Sequence, residues 1–461
     1  MVIKVLAKIE ALKSKLSDTN REMLRLFWPV LVEHTLAITI GIVSAIMVSG
    51  VGDFAVSGVT MVDTFNFMII AIFTALAVGA TVVVAQKIGA HKISEAGETA
   101  FQSIVLCVSI ASILGMAVVL FGRNILNVIY AGAAENVHQA MRTYFLFSGI
   151  SYPFVGLFAA CTGVMRAGGN TRTPMISSAI ANVVNITLAF ILIQAGLGVL
   201  GVSIAMLSAR TVAGTFAFIV VNKGVYGFAL PGGKPRLSRK ILKPVLNVGV
   251  PSGVDAIIFN GARVVMTVFM AGMGTAALHA HAIANSLSGF MFLPGNAMAI
   301  VSVTLVGQAY GAKLYGRVKM LMGRVCLFCS GSHVIMSLIF IFLISPLIRL
   351  YNPTPYAEEL SLRLIMTMAV LSPIVWSFSF AMPQMLRACG DAKSTMYVSV
   401  ASLLLLRILG AWFFGIYLEW GVFGVWMGMF IDWFGRGIGF SVRAFSNAWN
   451  GGRKPVDETK N

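Results

Sequence analysis

Residues 386–396 read LRACGDAKSTM, and residues 165–175 read MRAGGNTRTPM. Arg, Ala, Gly and the closing Met coincide without a gap, so one polar phrase is written twice in an otherwise apolar chain. An internal repeat of this kind decides the architecture before any single element is assigned. The opening pair is offset by 221 residues, and a shift of 222 extends the repeat toward the start of each half: it sets Pro29 on Pro251, Glu33 on Asp255, Gly50 on Gly272, Gly52 on Gly274, Gln86 on Gln308, Gly89 on Gly311 and Ala90 on Ala312. The Gly and Asn or Asp residues of the phrase suit a tight turn and a helix N-cap.

The medium in which this repeat folds follows from composition. Hydrophobic residues make up 58% of the 461 and charged residues 11%, with a mean hydropathy of +0.87, which excludes an ordinary soluble domain. A membrane-crossing helix needs about 20 mainly apolar residues. The pattern predicts twelve such spans, near 26–49, 54–86, 97–121, 137–164, 172–194, 199–221, 244–271, 276–310, 321–348, 361–385, 394–417 and 421–446. The expected fold is therefore an all-α integral membrane protein with twelve transmembrane helices in two pseudo-symmetric six-helix lobes. Its parts are a basic amphipathic segment at 1–25, an N-lobe at 26–221, a linker at 222–243, a C-lobe at 244–446 and a tail at 447–461. Six spans per unit keep both lobes in the same orientation, related by an axis along the membrane normal and enclosing a cleft.

Cations set the orientation, because short cytoplasmic segments collect Lys and Arg. Lys4, Lys8, Lys13, Lys15, Arg21, Lys87, Lys92, Arg166, Arg172, Lys313, Arg317, Lys319, Arg387, Lys393, Arg453 and Lys454 fall on one side if both termini are cytoplasmic. The opposite loops keep little beyond Arg123 and Arg349. The formal charge of +17 is then a topology signal facing anionic membrane lipid, and no nucleic-acid module accompanies it.

An ionisable group inside hydrocarbon is expensive and so a candidate for function. Glu33, four residues after Pro29, and its repeat partner Asp255 lie about 10 Å into their spans. Each is a candidate for holding a proton and compensating a neighbouring positive charge, so amide substitutions there should spare folding and impair activity. The plainer reading is a cap or an ion pair with a neighbour such as Arg25. Asp63 is the N-lobe acid nearest the outer side, with Asn66 one turn on; Asn285 is its uncharged repeat partner. In the C-lobe stand Asn260 and Arg263, then Arg407, then Asp432 and Arg436 four residues apart. These four charged groups are expected to form a structural network, in which Asp255 or another acid neutralises Arg263. Cys326 and Cys329, and His279 and His281, have metal-like spacing without further ligands, so no metal or cofactor is expected. No nucleophile and base constellation indicates an enzyme. Phe67 and Phe290 are expected near the cleft as apolar wall.

The phrases FWPVLVEH, SGVTMVDTFN, VVVAQKIGA, MRAGGNTRTPM, VPSGVD, LVGQAYGA, LRACGDAKSTM and GVFGVWMGMFIDWFGR, in this order over the whole length, resemble the multidrug and toxic compound extrusion (MATE) family in its bacterial branch. The resemblance implies the fold of the multidrug/oligosaccharidyl-lipid/polysaccharide exporter superfamily. It also implies a multi-pass protein of the bacterial plasma (inner) membrane, expected as a monomer. The implied function is a secondary-active efflux antiporter that exports cationic or amphipathic organic compounds in exchange for H+ or Na+ by alternating access. The alternative is a flippase or exporter of a lipid-linked or anionic metabolite, which clustered Arg263 and Arg407 facing inward would favour. The sequence departs from its relatives where they commonly place two acids. Ser44 stands where an Asp is usual late in the first span, and Ala189 follows Asn185 where Asn-x-x-x-Asp is usual in the fifth. Ser44 and Asn185 supply oxygens without charge, so a proton is favoured over Na+ as the coupling ion. Glu33 and Ser44, eleven residues apart, are expected to line one path.

Overall fold

The computed structural model describes residues 2–224 and 238–450, with side chains from residue 18 onward. The basic side chains Lys4, Lys8, Lys13 and Lys15, residues 225–237 of the expected linker, and the tail cations Arg453 and Lys454 lie outside the described residues. Among the described residues, twelve helical passes occupy the positions of the twelve predicted spans. The N-terminal six are α1 (Val2–Ser49), α2 (Asp53–Gly89), α3 (Ile93–Ile129), α4 (Glu135–Ala167), α5 (Arg172–Gln194) and α6 (Gly198–Asn222). The second six begin with α7 (Arg239–Ala271) and α8, which is broken into Thr275–Met291 and Leu293–Gly311. They continue as α9 (Tyr315–Arg349), α10 (Pro355–Ala388), α11 (Ala392–Tyr417) and α12 (Gly421–Phe445). Among the described residues, ten of these are long and apolar enough to cross a membrane, and an eleventh is added if the two halves of α8 count as one span. The remaining helix, α12, is 25 residues long and carries Asp432 and Arg436.

The buried side chains divide between two cores. One runs from Val48 to Val221, and the other from Val248 to Trp449 with Met23, Leu26, Phe27, Val30 and Val82 added to it. The start of α1 therefore packs on the C-terminal core. Phe27 meets Phe328 edge-on at 4.9 Å and Arg317 pairs with Glu22 at 3.2 Å. With Arg324 donating to Asn20 at 3.4 Å, these contacts join the start of α1 to α9 on both sides of the boundary expected at residue 26. The start of α7 reciprocates, since Ser238 donates to Gln102 of α3 at 2.8 Å and Val245 packs with Ala80 and Val83 of α2.

The repeated phrases form the α4–α5 and α10–α11 turns, closed by Gly169 at φ 80° and Gly390 at φ 89°, a backbone region open to glycine at little cost. Both turns lie at the same end of the molecule, here called the inner end. Outward-facing Leu327, Ile335, Leu338 and Phe342 on α9 are exposed, as expected of a helix in hydrocarbon, where apolar surface gains nothing from burial. Symmetry fails at one place that matters. α2 is unbroken, whereas its counterpart α8 bends by 50° at Phe292, two residues before Pro294, whose ring cannot sit within a regular helical turn.

Candidate functional site

Along α2 and α8, one half of each helix closes a seam and the other half lines a cavity. In the seam, Gln86 Nε2 donates to the Ala388 carbonyl at 2.7 Å, and Gln308 Nε2 donates to the Ala167 carbonyl at 2.8 Å. These bonds are related by the repeat, and each crosses from one lobe to the turn of the other. Thr304 adds a bond to the Arg166 carbonyl at 2.9 Å. The backbones approach too closely for side chains: a Cβ on Gly89 would sit 1.9 Å from the Gln308 oxygen, and one on Gly311 would sit 1.9 Å from the Gln86 oxygen. Contact continues outward to Gly79 against Val245 and to Ala75 against Gly249 and Gly253. From Ala75 to Gly89 is about 20 Å of closed helix at 1.5 Å per residue.

The turns that accept these bonds are held by the two carboxylates of the repeat. Arg166 of the first phrase pairs with Glu33 at 2.5 Å, and Arg387 of the second pairs with Asp255. This corrects two expectations. The partner of Glu33 is Arg166 rather than Arg25, and Asp255 is taken by Arg387 rather than neutralising Arg263. Ser44 lines the N-lobe cavity described below, and Glu33 is not among that cavity's lining residues. Both acids are mostly buried, and Glu33 Oε2 and Asp255 Oδ1 have no hydrogen-bond partner. Removing one member of a buried ion pair typically costs about 3–5 kcal/mol. Glu33→Gln should therefore lower the thermal unfolding midpoint in detergent, contrary to the tolerance expected from sequence. Arg166→Gln in the same chain should recover part of the loss, because it removes the stranded cation. Single and double variants that melt at the wild-type temperature would show that the pair stabilises nothing.

Beyond the seam, the N-lobe cavity of about 350 Å³ is lined by Ser44, Asp63, Asn66, Phe67, Tyr144 and Arg210 among others. Asp63 Oδ1 accepts from Asn66 at 3.0 Å and from Tyr144 at 3.2 Å. Asn66 also donates to Ser148 at 3.1 Å and accepts from Tyr152 at 2.8 Å. Arg210 donates to Ser151 at 2.8 Å and separates this cavity from an adjoining one of about 250 Å³ that holds Asn185. Sequence reasoning missed Arg210, although a lone arginine midway along α6 is a signal in itself. The sixth and twelfth helices align at a shift of 223, GVLGVSIAM (198–206) on GVFGVWMGM (421–429), which sets Arg210 opposite Trp433, so this arginine has no counterpart copied by the repeat.

The C-lobe cavity of about 560 Å³ is lined by Phe259, Arg263, His281, Asn285, Phe292, Trp376, Phe380, Arg407, Trp426 and Trp433 among others. Asp432 is fully buried behind this wall. It accepts from Ser402 at 2.7 Å and from Arg407 Nε at 3.0 Å, and it lies 3.0 Å from Arg436. Arg407, Asp432 and Arg436 thus form one cluster. Arg263 stands outside it, a correction to the expected four-membered network, and donates instead to Asn285 at 3.3 Å. Asn260 turns back to its own helix, donating to the Ala256 carbonyl at 2.8 Å, and lines neither cavity. Phe290 packs against the C-terminal core while Phe67 faces the N-lobe cavity. Among the described residues no group of three His, Cys, Asp or Glu side chains gathers to hold a metal.

Comparison with known proteins agrees with the repeat. The MatE family profile matches residues 29–191 and again 251–413, a spacing equal to the internal shift. The chain is similar to "Uncharacterized transporter YisQ" of Bacillus subtilis, 26% identical with 96% of this chain and 97% of that protein covered. It is also similar to "Probable multidrug resistance protein NorM" of Thermotoga maritima, 23% identical with 91% of each covered. The fold is shared with a MATE transporter crystallised in the bent conformation, at a TM-score of 0.86 and 19% identity over 94% of this chain and 96% of that one. It is shared as well with a transporter of Pyrococcus furiosus whose binding pocket is described as of reverse polarity, at a TM-score of 0.78 and 21% identity over 94% of each chain. With its two profile matches, one in each lobe, the chain belongs to the MatE family of multidrug and toxic compound extrusion transporters.

Proposed function

We propose that this protein is a secondary-active exporter that moves small amphipathic organic compounds out of the cell by alternating access, driven by an inward proton gradient. One observation carries the reading: both cavities lie on the same side of a closed inter-lobe seam, so each can open to only one face of the membrane at a time. The inner end collects Lys87, Lys92, Lys313, Arg317, Lys319 and Lys393, a cation excess that supports a cytoplasmic inner end and, on that reading, an outward-facing arrangement. Rocking of the lobes about the cleft would open the seam and expose the cavities inward.

The proton is favoured by the surroundings of Asp63, the one carboxylate that lines either cavity. A Na+ site needs several oxygens and net negative charge. Here Asn66 Oδ1 is already taken by Tyr152, and Arg210 brings a positive charge into the same space. A carboxylate can carry a proton without an oxygen cage. Transport in proteoliposomes tests this directly. An imposed proton gradient should drive efflux, a Na+ gradient at clamped pH should not, and Asp63→Asn should cut proton-driven efflux by about tenfold or more, as loss of a general proton carrier does. Efflux driven by Na+ at clamped pH and indifferent to a proton gradient would overturn the coupling assignment.

The charge of the cargo is a separate matter. Cationic cargo calls for acidic walls, yet Asp63 is balanced by Arg210 and the C-lobe cavity is lined by two arginines without a carboxylate. That observation favours the reading of an anionic cargo.

A further inference from the structure

The C-lobe cavity has a chemistry that lobe symmetry does not require. At the 222-residue shift Arg263 falls on Gly41, and the stretch of the N-lobe opposite Arg407, Val184 to Ile186, carries no charge. Each arginine therefore places a full charge on one side of the cleft alone. A guanidinium keeps its proton in any protein environment; Arg263 is exposed to the cleft, whereas Arg407 is buried, where a charge is costly unless compensated. Arg263 has an amide oxygen, Asn285 Oδ1, at 3.3 Å and no carboxylate in an ion pair with it. Arg407 shares its single carboxylate with Arg436, so two guanidiniums face one acid and the cluster is left with one net positive charge.

Aromatic rings complete the cavity. Phe292 stacks on Trp376 at 6.0 Å and meets Trp433 edge-on at 5.8 Å, while Trp376 stacks on Phe380 at 5.3 Å. Two of the lining residues come from irregular helix: Phe380 from the π-helical segment Ser377–Ala381, and Arg407 from Leu403–Ile408. Such wide turns frequently occur at functional sites. His281 Nδ1 accepts from Trp426 Nε1 at 3.2 Å, which leaves the ring proton of a neutral imidazole on Nε2 as a further donor.

We propose that this cavity binds an amphipathic organic anion, with an apolar body against the partly exposed rings of Phe259, Phe292 and Phe380 and a carboxylate, sulfonate or phosphate group on Arg263. The volume of about 560 Å³ falls within the range of cavities that enclose a drug-sized ligand. Charge-assisted hydrogen bonds from a guanidinium fork supply affinity and orientation for such a group, and the same positive charge repels an organic cation of equal size. That the bound anion is exported rests on the transport reading above; that it binds does not.

The test is calorimetric titration of the full chain in phosphatidylcholine nanodiscs with two planar probes of similar size and opposite charge, naphthalene-2-carboxylate and 1-methylquinolinium. The carboxylate should bind at least tenfold more tightly. Arg263→Gln should weaken it tenfold or more and erase the discrimination, Arg263→Lys should retain most of it, and Arg349→Gln, which removes an equal charge at an exposed pair with Glu358, should change nothing. Repeating the titration in phosphatidylglycerol nanodiscs separates the two sources of such an anion. Loss of naphthalene-carboxylate binding by competition assigns the site to a lipid headgroup, and persistence assigns it to a free organic anion. Equal or tighter binding of 1-methylquinolinium, or unchanged carboxylate affinity in Arg263→Gln, would overturn the proposal. Because binding is read without a gradient, a failure of proton coupling in proteoliposomes leaves this result intact, and the reverse also holds.

Discussion

Replacing Gly89 by alanine should abolish export while leaving the protein folded and inserted. The added Cβ would fall 1.9 Å from the Gln308 carbonyl oxygen, which belongs to a helix backbone and cannot swing aside as a side chain would. Overpacking of this kind costs about 1–3 kcal/mol where neighbours can shift, and the cost applies only to the arrangement in which the seam is shut. A penalty of that size lowers the population of the closed seam by about 5- to 150-fold relative to the alternative state. Gly311→Ala, against the Gln86 carbonyl, should act in the same direction, and the double variant should be more severe because the two contacts are related by the repeat. A cysteine placed at Thr304 measures the seam directly: its labelling from the inner side should rise in the Gly89→Ala background. Wild-type export, with no gain in labelling, would show that the glycines serve no closure.

The seam also shows how far the sequence could be read. The repeat gave the twelve passes, the shared orientation of the lobes and the pairing of Gln86 with Gln308 and of Gly89 with Gly311, because each of these is local or is copied by the shift. It did not reveal that each glutamine reaches the turn of the opposite lobe, since that contact spans about 140 residues in the case of Gln308 and Ala167 and leaves no local pattern. The same limit explains Glu33. Arg25 lies on its own helix and was the cation a one-dimensional reading offers, whereas Arg166 arrives through tertiary packing. The repeated phrase that opens the argument thereby gains a second role: its arginines fasten the turns, and the carbonyls of those turns accept the latch. The bend in α8 was signalled by Pro294, but the π-helical turns of α10 and α11 were not, because no residue type in SFSFA or LLLLRI demands them. Arg210 needed only attention to a lone charge in an apolar stretch.

Asp432→Asn is expected to be the most destabilising of the amide substitutions, for reasons that differ from those at Asp63. Its carboxylate is fully buried and joins Ser402, Arg407 and Arg436 within 2.7 to 3.0 Å. An amide keeps the shape and one acceptor, yet it leaves two guanidiniums facing each other in a low-dielectric wall with no counter-charge. Stranding one buried charge typically costs about 3–5 kcal/mol, comparable with the whole stability margin of many proteins. The variant should therefore give reduced yield and a lowered melting temperature before any transport is measured. Arg436→Met is the contrasting case. It leaves Arg407 and Asp432 as a one-to-one pair and retains a flexible apolar side chain beside Phe380, over whose ring the Arg436 guanidinium now lies at 4.7 Å. Combining the two substitutions should recover part of the stability lost in Asp432→Asn, since one of the two stranded cations is gone. Arg436→Met alone should fold well and bind naphthalene-2-carboxylate more weakly by a few-fold, because the cluster behind the cavity loses its net positive charge. An Asp432→Asn variant with unchanged yield and melting temperature would mean that the two arginines already have another source of compensation, and the positive character assigned to the C-lobe cavity would then have to be revised with it.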